Sequence, residues 1–262
     1  MTKLTKEISN LTKFKEILDG RVKTLSPKIH GGRLARRDKQ SHLDDLDKQN
    51  INPIDLVVVN LYPFEKTISK ENVSWEEAIE NIDIGGPTMI RAAAKNYKDT
   101  LIIPSREEYQ ETLHLLKSQK GSTTLEQRKA FASKAFNISS HYDTAIFNYF
   151  NDGSTPVLKQ SIQEHKTLRY GENPHQEGIF YGKLDDIFEQ LNGKELSYNN
   201  LLDVDAAVHL MAEFKETTFA VLKHNNACGL ASREKLVDAW KDALAADPVS
   251  CLLYTSDAAD EG

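Results

Sequence analysis

The chain has 262 residues, of which 39% are hydrophobic and 27% are charged, and this balance is typical of a globular protein that buries a core. No apolar run reaches the roughly 20 residues of a membrane-spanning helix, and the start lacks the apolar segment of a secretory signal, so we expect a cytoplasmic protein with no membrane partner. Two cysteines and the lack of a cysteine–histidine cluster exclude a disulfide scaffold and predict that no metal is required.

The charge is unevenly distributed, although the formal net value is only -6. Residues 1–40 contain 11 Lys and Arg against 4 Asp and Glu, whereas the remainder is acidic. A basic segment on an acidic chain indicates a local anion site. A nucleic-acid binder would interleave aromatic residues with its basic ones, and residues 21–39 contain none, so we expect no nucleic-acid partner.

The first half alternates predicted strands with predicted helices. A β-branched run within residues 53–64 predicts a buried strand of a parallel sheet, and residues 99–105 predict a second strand. The helical patterns are those of residues 74–82, 105–119 and 123–150. This alternation predicts an α/β layer fold.

Local signals set the expected ends of these helices. Ser74 with Glu77, and Ser105 with Glu108, have the spacing of capping boxes, so a helix is expected to begin at each pair. The third helical pattern is long, and we expect a break near Ser139–Ser140.

A change of composition separates the two halves. Gly, Ser, Thr and Pro cluster in residues 151–157, which predicts a linker and places a domain boundary within 152–166. The stretches GIFYGKL and FAVLKH then predict strands, and residues 232–247 predict an amphipathic helix.

The segment IDIGGPTMIRAAAKN has the composition of an anion site at a helix N-terminus. Gly85 and Gly86 are expected to leave backbone N–H groups open to a ligand. Arg91 and Lys95 are four residues apart and share a helix face, and Asp83 lies on the preceding turn. These groups could hold an anionic substrate and move protons on it. An exposed basic stripe with Asp83 as a helix cap remains the alternative.

Two other stretches of the first half favour the functional interpretation. DGRVKTLSPKIHGG places Arg21, Lys23, Lys28 and His30 between glycines. NLYPF places Tyr62 just beyond a predicted strand, where open α/β sheets bind their ligands.

Three loops of the second half carry polar side chains suited to transfer chemistry. LRYGENPHQ contains Arg169, Tyr170 and His175, and VLKHNNACGLA ends a predicted strand on Lys223 and His224. A histidine can take a proton from an amine near neutral pH, and a lysine can stabilise a developing anion. The third loop, LSYNNLLDVDAA, contributes Asn200 and Asp203. Each of these residues taken alone also has a structural explanation.

Together these motifs resemble the bifunctional purine-biosynthesis enzymes, which join a phosphoribosylaminoimidazolecarboxamide formyltransferase to an IMP cyclohydrolase. The resemblance implies a methylglyoxal-synthase-like parallel-sheet domain, incomplete at its N-terminus, followed by the start of a cytidine-deaminase-like α/β formyltransferase domain. It implies formyl transfer from 10-formyltetrahydrofolate to the aminoimidazole carboxamide ribonucleotide, and then ring closure to IMP with loss of water. The implied partners are this nucleotide, the folate cosubstrate and, for the intact protein, a second subunit in a homodimer.

The resemblance implies roles for the first-half residues. Arg21 and Lys23 would face the substrate, with Lys23 in the catalytic group, and Tyr62 would donate a hydrogen bond to the formyl oxygen. Asp83 and Lys95 would place and shuttle protons. The remaining substrate contacts would come from Gly85, Gly86 and Arg91. Ser26 stands where the family usually has a histidine, so no role is implied for it.

The second-half residues receive roles in the same way. His224 would be the base on the attacking amine, and Lys223 would support the formyl oxygen or the leaving folate nitrogen. The nucleotide would be contacted by Arg169, Tyr170, His175, Asn200 and Asp203. Ala227 replaces a common proline of the family, which is expected to loosen the turn.

The resemblance also sets the expected domain organisation. Residues 1–151 would form the cyclohydrolase domain, 152–166 the linker and 167–250 the N-terminal part of the formyltransferase domain. We interpret residues 251–262 as an in-frame translation of a sequencing adapter. A chain lacking its first βα units and most of its second domain is expected to be poorly folded or inactive alone.

A different class of function remains open, namely a regulatory domain that binds a phosphorylated metabolite without turnover. The first half alone would suit such a domain, because a fold does not fix a function. The second-half loops favour the enzyme, since a binding module has no need of them.

Overall fold

The computed structural model describes residues 6–190, 192–246 and 248. It divides into two compact units, Met1–Ser161 and Ile162–Gly262, which we call the first and second units. The segment 251–262, interpreted above as an adapter translation, lies outside the described residues.

The first unit contains a small parallel sheet and eight described helices. Its strands are β1 (Leu56–Val58) and β2 (Leu101–Ile103). Its helices are α1 (Ile8–Thr12), α2 (Pro27–Leu34), α3 (Gln40–Lys48), α4 (Phe64–Ile68), α5 (Trp75–Glu80), α6 (Gly85–Lys95), α7 (Tyr109–Ser118) and α8 (Leu125–Phe150).

The two strands pair in parallel, with Leu56 opposite Leu101 and Val58 opposite Ile103, which confirms the predicted parallel sheet. All of β2 is buried. In β1 the central Val57 enters the core, but Leu56 and Val58 are 41% and 50% exposed. The prediction of a fully buried first strand was therefore wrong, because successive side chains of a strand point to opposite faces and only one face is covered here.

Helices α6 and α8 pack on the sheet and complete the main core. The triplet Ala92–Ala94 is buried, so the backbone of α6 can lie close to its neighbours, whereas Arg91 and Lys95 are exposed. The alanines thus supply the core face of the RAAAK segment. The core consists of Val57, Val59, Ile90, Ala93, Ala94, Leu101, Ile102, Ile103, Phe131, Ala132 and Ala135.

One predicted helix start is confirmed and the other is wrong. The Ser74 hydroxyl accepts a hydrogen bond from the Glu77 N–H at 3.0 Å, although the Glu77 carboxylate binds the Lys70 ammonium instead of completing the box. Helix α7 begins at Tyr109, four residues after Ser105. The Glu108 carboxylate binds the Lys134 ammonium of α8 at 2.6 Å, so a tertiary ion pair replaces the predicted cap.

Helix α8 runs without interruption over 26 residues, so the break expected near Ser139–Ser140 was wrong. Both serine hydroxyls donate to carbonyls of the preceding turn, to Phe136 and Asn137 respectively. A hydroxyl that bonds within its own helix leaves the backbone ladder intact.

The segment after α8 turns back along the helix. The Asn148 side-chain amide donates to the Lys159 carbonyl at 3.2 Å, and His141 contacts the Ser161 hydroxyl at 2.9 Å. The other ring nitrogen of His141 lies 3.0 Å from the Glu65 carboxylate. This segment is therefore fastened to the first unit by side chains of α8.

The described residues of the second unit form two antiparallel strand pairs and two α-helices. Its first pair is β3 (His165–Thr167) with β4 (Ile179–Tyr181), and its second is β5 (Thr218–Lys223) with β6 (Asn226–Ser232). A 3₁₀ turn (Leu184–Asp186) and helix α9 (Tyr198–Ala212) lie between the pairs, and α10 (Leu236–Ala246) follows.

Helix α10 packs directly on β6. A Cβ atom at Gly229 would overlap the Ala243 carbonyl, so the helix backbone lies against the strand backbone at this point. By contrast, none of the residues of α9, all of which the structure describes, is fully buried.

Candidate functional site

A pocket of about 630 Å³ opens beyond the carboxyl end of β1 and at the N-terminus of α6. The loop before α2, the segment after β1, helix α5 and the start of α6 all contribute to its wall. Six of the site residues predicted from the sequence line this pocket: Arg21, Lys23, Tyr62, Asp83, Gly85 and Gly86.

Asp83 is held at the centre of this wall by three backbone contacts. Its carboxylate accepts hydrogen bonds from the Gly86 N–H at 2.7 Å and from the Tyr62 N–H at 3.4 Å. Its own N–H donates to the Tyr142 hydroxyl at 2.8 Å. Asp83 therefore caps α6 and ties the segment after β1 to the helix, which leaves its remaining lone pairs for a ligand.

Gly85 and Gly86 allow other side chains to approach the N-terminus of α6 closely, and this matters more than any free backbone N–H group that they offer. The sequence predicted open N–H groups at Gly85 and Gly86, but the Gly86 N–H is bound by Asp83, so that expectation was wrong for Gly86. A Cβ at Gly86 would overlap the Asp83 carboxylate, and a Cβ at Gly85 would overlap the Thr24 hydroxyl. Only glycine allows these side chains to reach the helix N-terminus.

Both cations of the pocket are paired with carboxylates of its wall. The Lys23 ammonium lies 3.0 Å from the Glu16 carboxylate, and Arg21 forms an ion pair with Glu80 of α5. The hydrogen bond to Glu16, together with its negative charge, raises the pKa of Lys23 above its ordinary value. Lys23 is thus a protonated cation at neutral pH.

Arg91 and Lys95 do not line the pocket. Arg91 lies over the Phe136 ring of α8, 5.7 Å from its centroid. Lys95 is the last residue of α6, so its Cα lies about 9 Å along the helix axis beyond Met89, the last residue of α6 that lines the pocket. The expectation that both would share a site with Asp83 is not met in this structure, because the pocket forms at the helix start and these residues lie further along.

Sequence reasoning missed several residues that shape the pocket. Asn60 lines it, and its side-chain amide donates to the Tyr109 hydroxyl at 2.7 Å. Tyr142 is 59 residues from Asp83 in the chain, and burial raises the pKa of its phenol. Asn60 stands beside NLYPF and could have been included, whereas no local signal connects Tyr142 with Asp83.

In the second unit, Arg169 and Tyr170 contact each other. The Arg169 guanidinium lies 4.8 Å from the Tyr170 ring centroid and donates to the Tyr170 hydroxyl at 3.2 Å. His175 is exposed in the following loop. A depression of about 740 Å³ near β3 is lined by other residues, namely Lys166, Asp185, Glu189, Gln190, Asn192, Gly193 and Glu195.

The other predicted residues of this unit have local structural partners. Asn200 accepts hydrogen bonds from the Ser197 N–H and hydroxyl, at 3.0 and 2.9 Å, and so completes the capping box of α9. Lys223 ends β5, and His224 and Asn225 form the hairpin turn with φ of 49° and 63°, as two-residue turns between strands require. Asp203 accepts from the Asn225 N–H at 2.8 Å, so α9 supports this turn.

The described residues contain no group of three or more His, Cys, Asp and Glu side chains placed to hold a metal ion. Within the same residues, no helix combines the length and the apolar character needed to cross a membrane.

Comparison with protein families decides the family of the chain. Residues 2–88 match the model of the MGS-like domain, and residues 93–252, well over half of the chain, match the model of the AICARFT/IMPCHase bienzyme. The chain belongs to the AICARFT/IMPCHase bienzyme family. The family resemblance inferred from the motifs is thereby confirmed, with an MGS-like domain at the start of a mixed α/β chain.

Curated relatives of this family agree. The chain is 54% identical over 245 residues to a bifunctional purine biosynthesis protein PurH from Bacteroides thetaiotaomicron, covering 94% of this chain and 48% of that protein. It is 54% identical over 259 residues to a protein of the same name from Prochlorococcus marinus, covering 93% of this chain and 50% of the relative. The chain spans about half the length of the curated relatives it matches. A solved structure titled "Crystal structure of ForH" has 34% identity and a TM-score of 0.49, over 56% of this chain and 76% of that one.

Proposed function

We propose that this chain acts in de novo purine biosynthesis as part of a bifunctional formyltransferase and IMP cyclohydrolase. The observation that supports this most strongly is the convergence of six predicted cyclohydrolase residues on one pocket, in a chain of the bienzyme family. The substrate of the pocket would be the formylated carboxamide nucleotide, and its product would be IMP.

Ring closure needs a donor for the formyl oxygen and an acceptor for a nitrogen proton. The carboxamide nitrogen attacks the formyl carbon, a C–N bond forms, and negative charge develops on the formyl oxygen. The exposed Tyr62 hydroxyl, at the pocket wall, would donate to that oxygen. Asp83 would accept the proton of the attacking carboxamide nitrogen, and the former formyl oxygen would be protonated to a hydroxyl. That hydroxyl would take up a second proton and leave as water, while the formamide nitrogen gives up its N–H proton and forms the ring C=N bond.

Lys23 and Arg21 would act in this reaction as cations. The raised pKa of Lys23 keeps its ammonium protonated, so it suits binding and stabilisation of negative charge better than proton abstraction. Lys95 keeps its proposed proton-transfer role on the strength of the resemblance alone, and this role requires its side chain to approach the pocket from the far end of α6.

The second unit would belong to the formyltransferase, with a cytidine-deaminase-like fold in the complete domain. Formyl would pass from 10-formyltetrahydrofolate to the amine of the carboxamide nucleotide. His224 would serve as the base and Lys223 would support the oxygen or the leaving nitrogen, with Arg169 and Tyr170 on the nucleotide. His224 is exposed on a hairpin turn, which makes its ring available to a substrate.

The same proposal covers the organisation of the whole protein. The boundary between the domains would fall within residues 152–166, where the described segment contains no helix or strand before β3. The intact protein would be a homodimer that binds the nucleotide and the folate.

The proposal is tested by ring closure in a chain completed to the length of its curated relatives. IMP formation from the formylated nucleotide is followed by absorbance. We expect Asp83→Asn and Tyr62→Phe each to lower kcat by about 10²-fold, because each removes one group that acts on the reacting atoms. Asp47→Asn, which removes an exposed carboxylate of α3 outside the pocket, is the matched control and should leave the rate unchanged.

A second pair of variants separates the two activities. Lys95→Ala should slow ring closure, and His224→Ala should slow formyl transfer while leaving ring closure intact. Unaltered rates in all four variants would refute the assignment of these residues. Nucleotide binding without any turnover in the completed protein would favour the regulatory domain instead.

A further inference from the structure

The pocket that would receive an anionic nucleotide is lined by more carboxylates than cations. Its titratable wall residues include the bases Arg21 and Lys23, and these are accompanied by the acids Glu16, Asp19, Glu80 and Asp83. An unliganded anion site would ordinarily present a net positive potential to its ligand.

Two of these acids are paired with the two cations. Glu16 binds Lys23 at 3.0 Å, and Glu80 of α5 binds Arg21. All four side chains are more than half exposed, between 54% and 65%. Exposed ion pairs of this kind contribute little to stability, since water and salt screen them. Replacing the carboxylate of such a pair by the anion of a ligand therefore costs little free energy.

Asp83 has a different position in the wall. Its carboxylate is bound by backbone N–H groups of Gly86 and Tyr62 and does not pair with either cation among the described contacts. Of the four acids, Asp83 is thus fixed by backbone hydrogen bonds, whereas Glu16 and Glu80 belong to exchangeable ion pairs.

We propose that Glu16 and Glu80 are resident counterions, which hold Lys23 and Arg21 at the pocket wall and must be displaced when an anionic ligand binds. The inference rests on the proposed function for the identity of the ligand, a nucleoside monophosphate. It makes the two glutamates determinants of the affinity of the pocket for anions. A neutral ligand does not compete with a carboxylate, so the resident pairs weaken anion binding and reduce the preference of the pocket for anions over neutral ligands.

The test is calorimetric titration of the full chain with three probes: inosine 5′-monophosphate, inorganic phosphate and uncharged inosine. The variants are Glu16→Gln and Glu80→Gln, which keep the size and polarity of each side chain. We expect each to tighten binding of both anions about three- to five-fold at low salt, because one competing charge is removed. The gain should shrink as salt rises, and the affinity for inosine should not change.

Glu77→Gln provides the matched control. Glu77 lies on α5 like Glu80, forms an exposed ion pair with Lys70 at 2.9 Å, and does not line the pocket. Its variant should bind every probe as the parent chain does. Circular dichroism of all variants checks that the fold is retained.

The outcomes separate this inference from the proposed function. Unchanged or weaker anion binding in both pocket variants overturns the inference, since the glutamates would then only position the cations. If the variants bound phosphate more tightly but no variant bound the nucleotide, the counterion role of Glu16 and Glu80 would be supported and the nucleotide site would be refuted. Nucleotide binding by the parent that neither variant improves would leave the proposed function intact and refute the counterions.

Discussion

The first unit brings together segments that are far apart in the chain, whereas the second unit satisfies its polar side chains within shorter stretches. Asp83 contacts Tyr142 and Arg21 contacts Glu80, each across 59 residues of the chain. Ser197 and Asn200 are three residues apart, and the longer contact from Asp203 to Asn225 spans 22. A pocket built from distant segments needs a core that fixes them, and the two units differ in that core.

The cores differ in the size of their side chains. The first unit buries Phe64, Ile90, Ile102 and Phe131 to 2% exposure or less. The buried apolar side chains that the structure describes in the second unit are Leu168, Leu184, Ala231, Ala239 and Ala243. Three of these five are alanines, which bury little apolar surface. The second unit is therefore held mainly by strand pairing, turns and caps.

This difference predicts two separate unfolding transitions. The chain has two tryptophans, Trp75 in α5 and Trp240 in α10, so each unit has its own fluorescent reporter. A Trp75→Phe variant reports the second unit through Trp240, and a Trp240→Phe variant reports the first unit through Trp75. The urea midpoint of the Trp240 transition should be about 1 M lower than that of the Trp75 transition, because the second unit buries less apolar surface. If the two transitions coincided, the chain would unfold as one cooperative unit, and the proposed difference in stability between the two units would be wrong.

The contact between α10 and β6 offers the largest single-residue effect. A Cβ at Gly229 would overlap a backbone carbonyl, which cannot move away as a flexible side chain can. We expect Gly229→Ala to lower the free energy of unfolding of the second unit by up to about 3 kcal/mol, as overpacking does. Urea titration of Trp240 fluorescence measures it.

The control for that substitution lies in the same unit. Gly193→Ala places its Cβ at ordinary van der Waals distance from Gln190, and its cost comes from its φ of 103°. It should destabilise by about 1 kcal/mol. If the two substitutions lowered the free energy of unfolding equally, backbone conformation at the glycines, and not the close approach of α10 to β6, would account for the loss of stability.

The first unit contains a buried charged side chain, Arg33, whose burial is expected to lower stability. Arg33 is 1% exposed, its Nη2 atom has no hydrogen-bond partner among the described residues, and burial lowers its pKa to about 10. Replacement by methionine keeps much of the volume and removes the charge. We expect Arg33→Met to raise the free energy of unfolding of the first unit by about 2 kcal/mol.

The pH dependence of that gain follows from the lowered pKa. A base whose folded-state pKa lies below its unfolded value destabilises the fold fully at pH values below both, and the penalty declines as pH rises through the folded-state value. The advantage of Arg33→Met should thus be constant well below pH 10 and shrink above it. Urea titrations of the Trp75 signal across pH measure this, and a destabilised variant would show that the guanidinium has a favourable partner.

Local patterns in the sequence predicted strands β1, β2, β4 and β5, helices α5, α7, α8 and α10, and six of the residues that line the pocket, but not strands β3 and β6 or helices α1 to α4. Ser74 begins α5 as predicted because its hydroxyl bonds within its own turn. Ser105 fails because Glu108 finds a partner in α8, and no local pattern contains that ion pair. The segment RAAAK was assigned to the site for its charges, but its three alanines, which are buried, decide how the helix lies. Tertiary contacts thus account for both differences.

The smallest effect concerns Asn200, for which the resemblance implies a nucleotide contact and the structure shows a cap. Its side-chain oxygen accepts from both the N–H and the hydroxyl of Ser197. Asn200→Ala should lower the free energy of unfolding of the second unit by about 1 kcal/mol, because it removes the N3 side chain that accepts from Ser197 in the capping box, and Trp240 fluorescence again measures it. Asn200→Asp keeps the acceptor and should retain most of that stability, but it introduces a negative charge that would repel a phosphorylated ligand. A completed chain in which Asn200→Asp is stable and transfers formyl normally would leave Asn200 as a cap alone, whereas a stable variant with a raised KM for the nucleotide would give it both roles.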